Sequence, residues 1–214
     1  LSRWLGICPE AIADRISIEL AIAIVSLRDK KSDEEIREIE DACEIGYRMH
    51  TTAMKMCCPG ARERDIAGAI EGIALEMGEG VSFHSIVTQH GETLHNHGHD
   101  GILESGRMLL VDAGAENLMN YCSDFTRSYP VNGRFTPMQR DIYEIVLAAN
   151  AHAFEMAKPG LLYKEVHLAC VKVILEGLKS LGLVRGDMDD AVANGVHALF
   201  MPHGLGHLMG LDVH

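Results

Sequence analysis

Arg107-Met108-Leu109-Leu110-Val111-Asp112-Ala113-Gly114 opens the part of the chain that decides its architecture, and Asp124-Phe125-Thr126-Arg127-Ser128-Tyr129 answers it after a polar interval. The first run is apolar up to Asp112, as in a buried strand, and the second alternates, as in a half-buried one. Asn117 to Asn120 reads as a hairpin tip, and Asn132-Gly133 marks a further tight turn. Strands joined this closely are antiparallel, which predicts helices packed on an antiparallel sheet and excludes a βαβ pattern. Asp112 and Asp124 lie symmetrically about Leu118, so a hairpin pivoting there predicts the two carboxylates directly opposite each other, with Cβ atoms about 4.5–5.5 Å apart. Carboxylates held so close resist joint ionisation unless a cation lies between them. A pair of turn-capping aspartates is the other reading. The apolar run before Asp112 counts against it, because an unpaired buried carboxylate is costly.

Helices flank this hairpin on both sides. Ser32 with Glu35 forms a capping box, Asp33 and Glu34 suit the positive helix end, and apolar residues recur at Ile36, Ile39, Cys43, Tyr47, Ala53 and Met54. Pro59-Gly60 stops that helix, and a second is predicted from about Glu63 to Met77, ending at Gly78. Downstream, Thr136-Pro137-Met138-Gln139 starts a helix to about Lys158, Pro159-Gly160 stops it, and another runs from about Lys164 to Leu181. The two Pro-Gly breaks are 100 residues apart, and Ala53/Ala153, Met56/Met156, Ile66/Val166, Ala69/Ala169 and Glu76/Glu176 match at that offset. This predicts an internal duplication, each unit being helix, break, helix and then a histidine-bearing β-like stretch. The first thirty residues read differently and end at the charged segment Arg28-Asp29-Lys30-Lys31.

The chain has 214 residues, 47% of them hydrophobic, and its 19 Lys and Arg against 31 Asp and Glu give a net charge of −12. That is enough for one domain with a core, and the acidic excess argues against nucleic acid or an anionic membrane as partner. Six scattered cysteines without a Cys-x-x-Cys pair suit reduced thiols in the cytoplasm. The longest strongly apolar run, Leu20 to Val25, falls far short of the ~20 residues of a membrane span.

Twelve histidines stand out, and nine of them fall between His84 and His99 or between His197 and His214. His203-Gly204-Leu205-Gly206-His207 spaces two imidazoles as a zincin helix does, but the glycines between them and the lack of a Glu after His203 exclude that motif. Glycine beside histidine suits a loop or strand that lets backbone approach a ligand. His84, His90, His95, His97 and His99 sit among Gly, Asn and Asp in a loop, where one or two of the five are expected to be functional. Carboxylates with imidazoles and no thiolate suit a hard divalent ion such as Mn²⁺, with Co²⁺, Fe²⁺ and Zn²⁺ as alternatives, and water activation for hydrolysis.

Val111-Asp112-Ala113-Gly114, the run from Asp124 to Thr136, and the closing run from His203 to His214 (His-Gly-Leu-Gly-His-Leu-Met-Gly-Leu-Asp-Val-His) together resemble the aminopeptidase P and prolidase family. These are the pita-bread metallopeptidases that cleave beside proline. The resemblance covers roughly residues 30 to 214. It implies an α+β pita-bread fold with a pseudo-two-fold helix–helix–β repeat, in agreement with the duplication. It also implies that Asp112, Asp124 and His207 are metal ligands for two divalent ions, Mn²⁺ foremost. His95 and His214 then correspond to histidines that contact the substrate or tetrahedral intermediate, and His203 to one lining the pocket. The implied activity is hydrolysis of the N-terminal Xaa-Pro bond through a metal-bridging hydroxide, with a peptide bearing proline second as partner and self-association left open.

In one departure from the family pattern, the interval from Asp112 to Asp124 is one residue longer, which reads as an extra residue at the hairpin tip. The family also carries two glutamate ligands beyond the second histidine motif, and its larger members a full N-terminal domain. On that pattern residues 1–30 are the tail of such a domain and its linker, and 31–214 a C-terminally incomplete catalytic domain that binds metal weakly and has little activity alone. The dipeptidase (prolidase) activity is the near alternative, and a non-catalytic pita-bread binding module the one from another class. Methionine aminopeptidase and metal-free creatinase-like activities fit the motifs less well.

Overall fold

The computed structural model describes residues 2–12 and 15–214. Strand β3 (Met108–Ala113) is the centre of a three-stranded antiparallel sheet, between β2 (Ile86–Thr88) and β5 (Phe125–Pro130). A separate two-stranded ribbon pairs β1 (Gly80–Val81) with β4 (Ala115–Glu116). Burial alternates along β3: Leu109, Val111 and Ala113 are buried, while Met108, Leu110 and Asp112 are half-buried on the other face. The apolar face covers two helices, α3 (Asp33–Met56) and α4 (Glu63–Met77), which give Ile45, Met49, Ile66 and Ile70 to one core.

The hairpin corrects the predicted pairing. Ala113 pairs with Phe125 and Asp112 with Thr126, so Asp124 is displaced by two residues from the position facing Asp112. The turn pivots on Met119, not Leu118, because the Asn117 side chain organises a five-residue tip. Asn117 Oδ1 accepts hydrogen bonds from the backbone N–H groups of Met119 and Tyr121, both at 3.0 Å. Asn120 takes a left-handed conformation with φ 63° within it, as a short polar side chain allows. A two-residue displacement keeps side-chain parity, so Asp112 and Asp124 still stand on one face. The tip is tied to the start of α3, with Asn117 Nδ2 donating to Glu38 Oε2 at 2.7 Å and the Tyr121 hydroxyl to Glu35 Oε1 at 3.1 Å.

The helices follow their local signals closely. Ser32 and Glu35 form the capping box of α3, and Thr136 and Gln139 that of α5 (Pro137–Met156). The duplication is visible in the backbone. Helices α3 and α5 end at Met56 and Met156, and Gly60 and Gly160 turn the chain at φ 89° and 96°. The next helices, α4 and α6 (Tyr163–Ser180), have Arg62 and Leu162 at their N-caps, again 100 residues apart. The units diverge beyond their second helices. Helix α4 leads into β1, whereas α6 gives way to a short helix, α7 (Met188–Ala193), a 3₁₀ turn at Val196–Leu199 and irregular backbone. The second histidine stretch is therefore a loop where the duplication predicts β structure. It touches the hairpin through the Cys122 N–H donating to Gly210 O at 2.8 Å.

Before these units, helix α1 (Ser2–Leu5) and a 3₁₀ turn precede α2 (Ile18–Asp29), which buries none of its side chains. Lys30 ends α2 in extended conformation, at the boundary that the charged segment marks. Among the described residues, no helix is long and apolar enough to cross a membrane. All six cysteines are free thiols.

Candidate metal centre

Asp112 reaches its position because β3 alternates: Val111 and Ala113 point into the core and leave the carboxylate on the opposite face. Gly114 then ends the strand. A Cβ there would collide with the Ser123 carbonyl and lie 2.6 Å from Ser82 Oγ, so only glycine lets the strands close here. Ser82 Oγ donates to Ser123 O at 2.7 Å, and the Ala115 N–H donates to Ser123 Oγ at 3.0 Å, which fixes the residue before Asp124.

Asp124 is half-buried, and its carboxyl is held above the ordinary carboxylate pKa, first by burial and then by the negative charge of Asp112. His207 acts in the other direction, with Nε2 3.1 Å from Asp124 Oδ2. The other nitrogen of that ring settles its tautomer. His207 Nδ1 is 2.9 Å from Leu208 O, and a carbonyl only accepts, so Nδ1 carries the proton. Nε2 and the Asp124 carboxylate are therefore two electron-pair donors facing one another, and a proton or a cation belongs between them. Two donors about 2.1 Å from one cation at a right angle stand about 3 Å apart, which the observed spacing fits. The ring of His214 is 4.4 Å from that of His207, and its charge acts on Asp124 as well.

Of the six predicted site residues, the structure gathers Asp112, Asp124, His207 and His214. His95 and His203 make contacts of their own within the loops that carry them. His95 sits in its loop at φ 53°, with its ring stacked on that of His97 at 6.5 Å, and His84 lies 4.4 Å from His97. That loop is anchored by Glu63, a buried carboxylate that accepts from the Gln89 N–H at 2.8 Å and the Gly101 N–H at 3.0 Å. His203 Nδ1 donates to Gly204 O at 2.8 Å, and its charge bears on His167, whose pKa burial and His197 already hold low. Among the described residues, no three His, Cys, Asp or Glu side chains are arranged to hold one ion. The donor chemistry at Asp112, Asp124 and His207 suits a divalent cation nonetheless: two carboxylates that repel, and an imidazole with its free electron pair turned toward one of them.

One residue beside the centre is missing from the sequence reading. His50, on α3, is buried at 3% exposure with Nε2 3.1 Å from Ala113 O, and its ring stacks on Phe125 at 4.7 Å. Its only sequence signal is its place beside Met49 on the helix face that Ile45, Gly46 and Ala53 define, a face on which histidine looks like any half-polar core residue.

Comparison with known proteins decides the family. Residues 37–214 match the profile described as Metallopeptidase family M24. The chain belongs to metallopeptidase family M24. Among M24 relatives, the chain is 37% identical over 187 residues to the Xaa-Pro aminopeptidase of Escherichia coli, an alignment covering 86% of this chain and 42% of that protein. It is 39% identical over 196 residues to the Probable Xaa-Pro aminopeptidase pepP of Botryotinia fuckeliana, covering 90% and 42%. The solved Pseudomonas aeruginosa aminopeptidase PepP superposes with TM-score 0.84 at 38% identity, over 88% of this chain and 43% of that one. The chain thus spans less than half the length of these M24 relatives, and over that span it has the pita-bread fold of aminopeptidase P.

Proposed function

We propose that this chain supplies Asp112, Asp124 and His207 to a two-ion centre of an Xaa-Pro aminopeptidase, which removes the N-terminal residue from peptides with proline second. The observation that carries this reading is the His207 Nε2 to Asp124 Oδ2 approach of 3.1 Å beside Asp112. It occurs in an M24 chain whose relatives are named Xaa-Pro aminopeptidases. Divalent ions held there, Mn²⁺ first and Co²⁺, Zn²⁺ or Fe²⁺ as alternatives, supply Lewis acidity and an activated water for peptide hydrolysis. The chain's own groups do the rest. The Leu208 carbonyl holds the His207 tautomer, Asp112 and Asp124 provide the anionic face, and His214 stands beside them to meet charge developing on the scissile carbonyl. His95 and His203 are assigned to the peptide, from the loops that carry them.

Residues 31–214 form the catalytic domain on this reading, and 1–30 the piece that leads into it. The exposure of all of α2 and the start of the family match at residue 37 support that division. Six free thiols support a cytoplasmic setting. The test is hydrolysis of an Xaa-Pro peptide by a Mn²⁺-loaded version extended over the full length of its M24 relatives, and by the Asp124→Ala variant of that version. Loss of a ligand is expected to cost more than the roughly 10–100-fold that loss of an outer partner costs. Unchanged cleavage by Asp124→Ala overturns the assignment.

A further inference from the structure

We infer that His50 is a positioning residue for the aspartate pair, gripping β3 and β5 one residue beyond Asp112 and Asp124; this rests on the reading of those aspartates as cation ligands. Ala113 comes directly after Asp112, Phe125 directly after Asp124, and the two are register partners. A single imidazole touches both. Its Nε2–H donates to the Ala113 carbonyl at 3.1 Å, and its face lies on the Phe125 ring at 4.7 Å with 28° between the planes.

Two further observations set this contact apart from ordinary packing. First, the ring has an unmet need. With Nε2–H committed to Ala113, His50 Nδ1 is buried without a partner. Burial also holds the imidazole below its ordinary pKa, so the ring is neutral and Nδ1 carries a bare electron pair in the core. An apolar side chain on this helix face would avoid that cost. What the imidazole adds is one directed bond to the strand that carries Asp112. Second, α3 is shaped to admit the other strand. One turn before His50, a Cβ on Gly46 would stand 2.7 Å from Phe125 Cζ and 3.0 Å from Ser123 Oγ. Glycine there brings the helix against Phe125, so the ring next to Asp124 lies between Gly46 and His50.

The consequence concerns the spacing of two like charges. Asp112 lies in β3 and Asp124 directly before β5, and the two repel one another, so nothing in either side chain holds their separation. A slide or splay of β5 against β3 would relieve the repulsion and spoil the site. Fixing the Ala113–Phe125 pair against α3 opposes that movement, as outer partners do when they hold ligands ready for a metal.

The test is Mn²⁺ binding by the metal-stripped chain, measured calorimetrically, beside the melting temperature of the metal-free form. His50→Phe keeps an aromatic face and loses the donor; His50→Gln keeps an N–H donor. The expected result is roughly tenfold weaker Mn²⁺ binding in His50→Phe with a melting temperature close to wild type, and recovery in His50→Gln. Wild-type affinity in His50→Phe overturns the proposal. So does a loss of affinity that tracks a fall in melting temperature and is not recovered by Gln, which is the outcome of a merely structural role. If wild type and Asp124→Ala bind Mn²⁺ identically, the cation reading of the aspartates itself fails, and the proposal falls with it.

Discussion

Gly114 carries the smallest side chain at the centre and one of its strictest demands. Its φ is not in the left-handed region, so the requirement is one of space: any Cβ meets the Ser123 carbonyl. Gly114→Ala is expected to force β3 and β5 apart and to cost roughly 1–3 kcal/mol, read as a lower midpoint in urea denaturation. Residue types near the centre were legible in the chain itself. Asp112 stands out at the end of an apolar run, where a carboxylate is an expensive choice, and His207 stands out through the resemblance of the run His203 to His214 to a known family motif. The His207 tautomer was not legible, since the Leu208 carbonyl that sets it is a matter of backbone direction. His50 escaped for a related reason. Its importance lies in reaching Ala113, 63 residues away in the chain, and no local pattern encodes that distance.

At the scale of elements, helix ends are written almost letter by letter. The Ser32–Glu35 and Thr136–Gln139 boxes both form, with Glu35 N–H donating to Ser32 Oγ at 3.3 Å and Ser32 N–H to Glu35 Oε2 at 2.8 Å. Ser32→Ala is expected to lose about 1 kcal/mol, measurable as a lower thermal midpoint. Glu35 also accepts from Tyr121 at the hairpin tip, so that box is part of the tertiary structure as well. Strand pairing was less legible. Symmetry about Leu118 is a guess about a turn, and the turn is decided by one amide, Asn117, which bonds across its own loop and docks on Glu38. The second histidine stretch shows the same limit. Its glycines permit strand or loop, and it remains a loop, with α7 and a 3₁₀ turn standing between it and α6.

Across the whole molecule, buried imidazoles make stability depend on pH. Burial holds His50 and His167 below the ordinary value of 6.5, with Arg127 pressing His50 further down and Asp112 and the Ala113 and Phe125 backbone opposing. The unfolded chain accepts protons that these folded rings refuse. Their contribution is complete above about pH 6.5 and is lost as the pH falls toward the folded values. Denaturation at about pH 5 is therefore expected to show lower stability than at about pH 7.5, with a shallower slope in His50→Phe. Long-range ties complete the molecule: Arg28 on α2 meets Asp212 at 2.5 Å, joining the first helices to the closing histidine loop. The sequence by itself determined the helices, their duplication and the antiparallel hairpin, because capping and glycine–proline breaks act locally, while the candidate ligands were named by the resemblance of their motifs to a known family. Only the tertiary structure decided the strand register, the gathering of His207 and His214 at Asp124, and the contact of His50 with both strands. Those depend on distances between segments that are remote in the chain, which packing alone sets.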